Sequence, residues 1–361
     1  MQENQVKMDV QLLLVIITLL LFGLLTIYSS SSFQAIRSKG NSLFYLVNQI
    51  RPLFIGGLLA LIASKINYRV WNKLAPFILL IAISLLVYVL IFSKPINNVQ
   101  RWIRINGISI QPGEVAKIAI IIWLSSYLSR NKAKVKDLKG FAPIITVSFI
   151  VLGLLVLEPS FGVAFTVCLS ILFLMFVGEV KIKHMIFLGG TISSMLLVGI
   201  SKTSYAKARF STFLSGEVYQ VTQSMQGIGA GGIFGVGLGQ GKEKLLFLPY
   251  PHTDFIFSSL AEELGMVGSI VVFLLFAIFF LRGIRIATHV SSTFGSLLAF
   301  GITFNIFISA LLHIGVASGI LPATGLPLPF ISYGGSSLVV NLVSVGILLN
   351  ISKKLTKDSK A

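Results

Sequence analysis

Ten stretches of about twenty apolar residues follow one another along this chain, joined mostly by short basic segments. A run of that length matches the hydrocarbon thickness of a bilayer when helical. Inside lipid only helices and closed barrels satisfy every backbone group, so the pattern restricts the fold to a helical membrane bundle. The runs lie near residues 10–30, 45–64, 74–93, 113–129, 141–158, 160–178, 184–201, 253–281, 292–318 and 332–352. Charged residues make up 11% of the chain, where a soluble domain has roughly 25%. The expected fold class is an all-α integral membrane protein of ten transmembrane helices. It forms one polytopic domain over 1–361, with a large extracytoplasmic loop, 202–252, between helices 7 and 8.

Charge decides orientation. With the N-terminus inside, one side of the bundle holds seventeen basic residues and the other ten, half of the ten in the long loop. The positive-inside rule therefore puts both termini in the cytoplasm. The same distribution argues against a nucleic-acid partner, since the bases sit in short clusters between apolar spans and form no stripe on a soluble module. The single cysteine, Cys168, allows no disulfide within the chain. Lys7 and the apolar stretch that follows lack a small-residue cleavage site and are too long for a signal-peptide core, so a retained first helix is expected.

Three stretches hold residues suited to chemistry. In RWIRINGISIQPGEVAK (101–117), Trp102 between Arg101 and Arg104 suits a membrane interface. Pro112 starts a helix with Glu114 in its first turn, and Glu114 and Lys117 share a face, where they neutralise each other or line a polar cavity. The long loop offers Arg209 and Lys207 to a phosphate, then the run GIGAGGIFGVGLGQGK. That run is no P-loop, because Val236 replaces a required glycine and Glu243 follows Lys242. The plainer reading is tight turns and close helix packing.

The third stretch, HTDFIFSSLAEELG (252–265), puts Asp254 at the head of a span and Glu262 and Glu263 deeper within it. Acids so placed are costly unless paired or hydrated and mark function by default. Asp254 can act as a general base at the surface, while Glu262 and Glu263 are expected to bond within the bundle. Farther on, ILPATGLPLPFISYGGSSLVVN (320–341) contains three prolines, Pro329 among them. It is expected to be a broken or re-entrant segment with Ser332, Ser336 and Ser337 toward the same cavity.

Taken together these pieces resemble the SEDS family of polytopic cell-wall proteins (FtsW, RodA and SpoVE). The resemblance rests on Arg101-Trp102-Ile103, Gln111-Pro112 with Glu114 and Lys117, and Glu158-Pro159 with Gly162. It continues through Tyr219-Gln220, Gln223-Ser224, the glycine run, His252 to Phe257, Glu262 to Gly265, and Ser332 to Ser337. It covers essentially the whole chain, in order. Ser29 to Ser32 and Glu158-Pro159 lean toward the FtsW branch.

The resemblance implies a peptidoglycan glycosyltransferase of the bacterial cytoplasmic membrane that polymerises lipid II into glycan strands, most like FtsW in cell division. The alternative within the family is a RodA-like elongation role. It implies a class B penicillin-binding protein as partner, other divisome or elongasome membrane proteins, and contact with membrane lipid. Asp254 matches the catalytic aspartate. Trp102, Arg101, Arg104, Glu114, Lys117, Arg209, Gln223, Ser224, Ser336 and Ser337 fall at substrate positions, and Glu158, Glu262, Glu263 and Pro329 shape the cavity. A divalent cation, Mg or Mn, can assist, and no organic cofactor is expected. Departures from the family pattern are Ser160 for aspartate, Val163 for threonine, Gly113 for serine, Ser309 for glutamine and His313 for asparagine. Two other readings stay open, a lipid II flippase or transporter and a non-catalytic scaffold that activates the penicillin-binding protein.

Overall fold

The computed structural model describes residues 8–93, 100–105, 108–215, 219–242 and 252–353. Lys7, Lys94, Lys244 and the last three lysines, all counted in the charge argument, lie outside them, as does Glu243. Among the described residues, ten helices of 17 residues or more occupy the ten expected positions. They are α1 (Val10–Lys39), α2 (Phe44–Lys65), α3 (Arg69–Phe92), α4 (Pro112–Arg130), α5 (Leu138–Leu157), α6 (Phe161–Val177) and α7 (Ile182–Lys202), then α10 (Ile256–His289), α11 (Thr293–Ala317) and α12 (Gly335–Ser352). The long loop is itself partly helical, with α8 (Ser204–Ser215) and α9 (Tyr219–Ala230). Eight of the ten are long and apolar enough to cross a membrane by length and composition. The other two are α6, which has 17 residues, and α4, which carries charge at its start.

Burial orders the bundle from centre to edge. The apolar windows of α11 and α12 are 67% and 78% buried, whereas those of α2 and α7 are only 17% buried, leaving their apolar faces to lipid. Small residues set the helix spacing, as expected where hydrophobic burial gives no drive between helices. A Cβ on Gly346 of α12 would lie 2.3 Å from the Ala60 carbonyl of α2, so the two backbones touch. The start of α1 is tied across the bundle as well. Asp9 caps α1 by accepting from the Leu12 amide (2.9 Å) and pairs with Arg282 of α10 (2.6 Å).

Two features depart from the sequence expectation. Between α3 and α4 the chain forms a hairpin, β1 (Ile103–Ile105) with β2 (Ile108–Ile110), antiparallel with Arg104 opposite Ser109. The hairpin is the one sheet among the described residues, and the all-α membrane architecture holds around it. The eighth span is also interrupted, because α10 breaks at Gly265 (φ 68°, ψ −164°). The glycine run is wedged against that break. Amides of Val236 and Gly237 donate to the carbonyls of Glu262 and Glu263 (3.0 and 3.1 Å), and amides of Met266 and Val267 donate to those of Gly232 and Ile233 (2.9 and 3.1 Å). Four backbone groups flanking the break thus find partners in the loop, as buried backbone requires. Glycine is needed for the close approach, since a Cβ on Gly235 would lie 2.1 Å from the Glu263 carbonyl oxygen.

Gly235→Ala should therefore cost about 3 kcal/mol, from the positive φ and the clash together. Gly239→Ala has the same φ of +82° and open space around it, so only the conformational part remains, about 1–2 kcal/mol. Thermal unfolding of the detergent-solubilised protein checks the difference between the two.

Candidate functional site

The site is assembled around the turn that precedes α10. Residues 252–255 form that turn, with Asp254 half-buried in it. The proline segment holds it from one side. The Tyr333 amide donates to the His252 carbonyl (2.9 Å), and the Ser332 hydroxyl donates to the Thr253 carbonyl (2.8 Å). Gln49 of α2 braces the proline segment in turn, donating to the Ser332 carbonyl (3.3 Å) and accepting from the Gly334 amide (3.2 Å). The His252 ring packs between Tyr45 and Tyr333, with centroids 4.4 and 5.5 Å away. Burial there pushes the His252 imidazole down to about 4. The turn that carries the Asp254 carboxylate is thus braced from two sides.

Gly325 marks where the charges meet. It adopts φ +70°, and a Cβ there would sit 3.6 Å from Arg209 Nη1 and 3.7 Å from Asp254 Oδ2. The guanidinium of α8 and the carboxylate of the turn thus flank one bare backbone position. Arg209 Nη1 also donates to the Ala323 carbonyl (3.3 Å), which fixes α8 to the proline segment. Arg101 approaches from the hairpin side. Its Nε donates to the Glu158 carbonyl (3.2 Å) and a terminal nitrogen donates to that of Pro159. Burial raises the Asp254 pKa, and the Arg209 and Arg101 charges oppose it. The net direction is up, toward a carboxylate with greater proton affinity.

Glu158 lies where α5 ends, buried, with neither carboxylate oxygen hydrogen-bonded among the described residues. Burial pushes its pKa up to about 8, against the lowering effect of Arg101. The hydroxyls of Ser160 and Thr324 are buried and without a hydrogen-bond partner as well. The Ser160 position therefore keeps a polar group but not the carboxylate of the family pattern. Two other departures from that pattern are neighbours: a Cβ on Gly113 would meet Val163 Cγ1 at 3.3 Å and Leu155 Cδ2 at 3.2 Å. The bulk at 163 and the missing side chain at 113 fit each other. His313 supports the proline segment, with Nδ1 2.7 Å from the Leu326 carbonyl.

The remaining expected residues are placed as follows. Trp102 is half-buried and its carbonyl accepts from Ser93 (2.8 Å), while Arg104 is exposed on β1. Glu114 and Lys117 form an ion pair at 2.8 Å, both nearly inaccessible. Gln223 is half-buried on α9, and Pro329 is buried in the proline segment. Three serines expected at the substrate make hydrogen bonds within the scaffold. Ser224 donates to the Ala317 carbonyl (2.8 Å), Ser337 accepts from Asn341 (3.3 Å), and Ser336 pins the hairpin by accepting from the Gln111 amide (3.0 Å) and donating to the Ser109 carbonyl (2.9 Å). Glu262 accepts from the Lys242 amide (2.5 Å) and Glu263 from Ser29 (2.6 Å), joining the glycine loop and α1 to α10. Sequence reasoning missed Gln49 and Gly325. The adjacent amides Asn48-Gln49 in an apolar span were the available signal for Gln49, whereas Gly325 had none.

Against known proteins, the family described as "Cell cycle protein", covering FtsW, RodA and SpoVE, matches residues 10–357. The chain belongs to the FtsW/RodA/SpoVE family. It is 37% identical over 356 residues to a probable peptidoglycan glycosyltransferase FtsW of Trichlorobacter lovleyi, covering 96% of this chain and 93% of that one. It is 36% identical over 358 residues to the stage V sporulation protein E of Bacillus subtilis, at 96% and 98% coverage. Among solved structures, a chain from a peptidoglycan synthase complex described as coordinating polymerization and crosslinking superposes with a TM-score of 0.79. The identity is 26%, covering 97% of this chain and 99% of that chain. The fold of the Thermus thermophilus rod shape determining protein RodA is similar too, with a TM-score of 0.75, 24% identity, and coverage of 97% and 98%.

Two of the shifted groups outside the helices, Glu158 and His252, set opposite pH limits for this family member. Glu158 binds its proton more tightly folded than unfolded, so its contribution to stability is complete below its ordinary value of 4.5 and is lost as pH rises through about 8. His252 contributes above 6.5 and loses that contribution as pH falls through about 4. The melting temperature should fall from about pH 6 to about pH 9, and Glu158→Gln should flatten that alkaline limb and leave the acid limb unchanged.

Proposed function

We propose that this chain is a peptidoglycan glycosyltransferase that polymerises lipid II at the outer face of the bacterial cytoplasmic membrane, with Asp254 as its general base. The observation that supports this most is the meeting of Asp254 and Arg209 across Gly325, with Arg101 acting on the same carboxylate. Joining two lipid-linked sugars needs a base for the attacking hydroxyl and positive charge for the departing pyrophosphate.

In this reading Asp254 takes the proton of the acceptor hydroxyl as its oxygen bonds to the anomeric carbon. The bond from that carbon to the pyrophosphate oxygen breaks, and its electron pair stays on the leaving lipid pyrophosphate. Arg209 and Arg101 offset the charge that develops there. Direct attack inverts the anomeric centre. No group of three His, Cys, Asp or Glu side chains converges among the described residues. A Mg or Mn ion would thus be held by Asp254 together with substrate oxygens, a donor set such ions accept, and would supply further charge neutralisation to the pyrophosphate.

All ten long helices cross the membrane in this proposal, and both termini are cytoplasmic. The resemblance to relatives named FtsW favours a role in cell division over elongation. A class B penicillin-binding protein is the expected partner, a reading that the fold match to a chain from a synthase complex supports. A lipid II flippase would depend more on Glu114, Lys117 and Glu262, and a scaffold would tolerate changes at all of these positions.

The test is polymerisation of purified lipid II by the protein reconstituted with its penicillin-binding partner. Asp254→Asn should reduce glycan product by at least about 10²-fold, with melting temperature and partner binding unchanged. Equal product from both proteins removes Asp254 as the base. No product from wild type, with the partner bound, favours the flippase or scaffold.

A further inference from the structure

A second concavity lies at the other end of α4. The 19 residues of that helix place Arg130 about 28 Å from Pro112 at 1.5 Å per residue. There the end of α4, a short 3₁₀ turn at Lys134–Lys136 and the starts of α5 and α7 enclose about 830 Å³. Lys134, Lys136, Lys139 and Lys181 line it, against one carboxylate, Asp137. None of these four lysines forms an ion pair among the described residues. The nearby Glu179 is taken by Lys132 at 3.1 Å.

The cavity wall is built, not incidental. Val135 is fully buried beneath the turn and its amide donates to the Asn131 carbonyl (3.0 Å). The Tyr127 hydroxyl donates to the Gly140 carbonyl (2.7 Å). Gly140 lies so close to the turn that a Cβ there would come within 2.1 Å of the Lys134 carbonyl oxygen. The His184 ring stacks on Phe141 with centroids 4.5 Å apart and planes 7° apart, and its Nδ1, shielded from solvent, has no hydrogen-bond partner among the described residues. Four unpaired cations and an unused imidazole nitrogen around a fixed floor call for an anion with several acceptor oxygens.

Apolar side chains at the rim say where that anion comes from. Leu138, Ile182 and Ile186 are 73%, 67% and 70% exposed beside the lysines. In a membrane protein, an apolar rim next to a basic pocket at helix-end level meets an acyl chain and a charged headgroup together. We propose that this pocket binds the phosphate headgroup of an anionic phospholipid. The proposal rests on the chain's spanning a membrane and is independent of the glycosyltransferase reading.

The test uses the full-length protein in detergent, with soluble dioctanoyl phosphatidylglycerol as probe and native mass spectrometry as readout. Wild type should retain one saturable lipid adduct, and K134Q/K136Q/K139Q/K181Q should bind it about tenfold or more weakly. The double variant K136Q/K139Q should show an intermediate loss, which keeps the test decisive if the fourfold variant fails to fold. K65Q/R69Q/K73Q/K183Q, which removes four exposed charges that do not line the pocket, should bind within about twofold of wild type. Equal loss in that control, or equal binding of dioctanoyl phosphatidylcholine, would overturn the proposal. Displacement of the lipid by inorganic phosphate at the same concentration would assign the pocket to a soluble anion and overturn it as well.

Discussion

The backbone exchange between the glycine loop and the broken helix α10 is the interaction on which the rest depends. Four amide-to-carbonyl bonds run between residues 232–237 and 262–267. Without them a helix interrupted at Gly265 would leave backbone groups unpaired at membrane depth, at several kcal/mol each. Glu262 and Glu263 extend the same joint through their side chains, to the Lys242 amide and to Ser29 of α1. The acids that look most anomalous in the sequence thus hold the loop in place, and the loop in turn supports the break in the helix that begins two residues after Asp254.

Around that joint the polar groups divide by task. Those at Asp254, Arg209, Arg101 and Glu158 converge, while Ser224, Ser336, Ser337 and Gln49 are spent on tying segments together. A buried charge is tolerated only when something opposes its desolvation, and the two arginines supply that for Asp254. The Glu114–Lys117 pair meets the same requirement within one turn of α4. The Glu158 oxygens have no hydrogen-bond partner among the described residues and Arg101 opposes their desolvation only in part, so the carboxyl tends to the protonated form.

Much of this was legible in the sequence. The ten helix positions follow from apolar runs of bilayer length, a signal averaged over about twenty residues and hence robust. The hairpin had its signal too, since Asn106-Gly107 stands between Ile-Arg-Ile and Ile-Ser-Ile. An Asn-Gly pair between short β-branched runs is the usual mark of a two-residue turn. The break at Gly265 had none, because a glycine in an apolar span more often serves close helix packing. Nor could the sequence bring Arg101, Arg209, Asp254 and Gly325 together. They come from four separate segments, and only tertiary packing makes them neighbours. The bonds of the Ser224 and Ser336 hydroxyls were hidden for the same reason, as their partners lie 93 and 227 residues away.

The interruption of α10 also governs how mechanical load travels. A helix unbroken from Ile256 to His289 would act as a single rod of about 50 Å. Any tilt imposed on its far end by a thicker or thinner bilayer would then swing the Asp254 turn. With the rod jointed at Gly265, the glycine loop bonds to both arms, to Glu262 and Glu263 on one side of the joint and to Met266 and Val267 on the other. The joint is thus a bracket: loop backbone, and not helix continuity, sets the direction in which the long arm leaves the short one that follows Asp254.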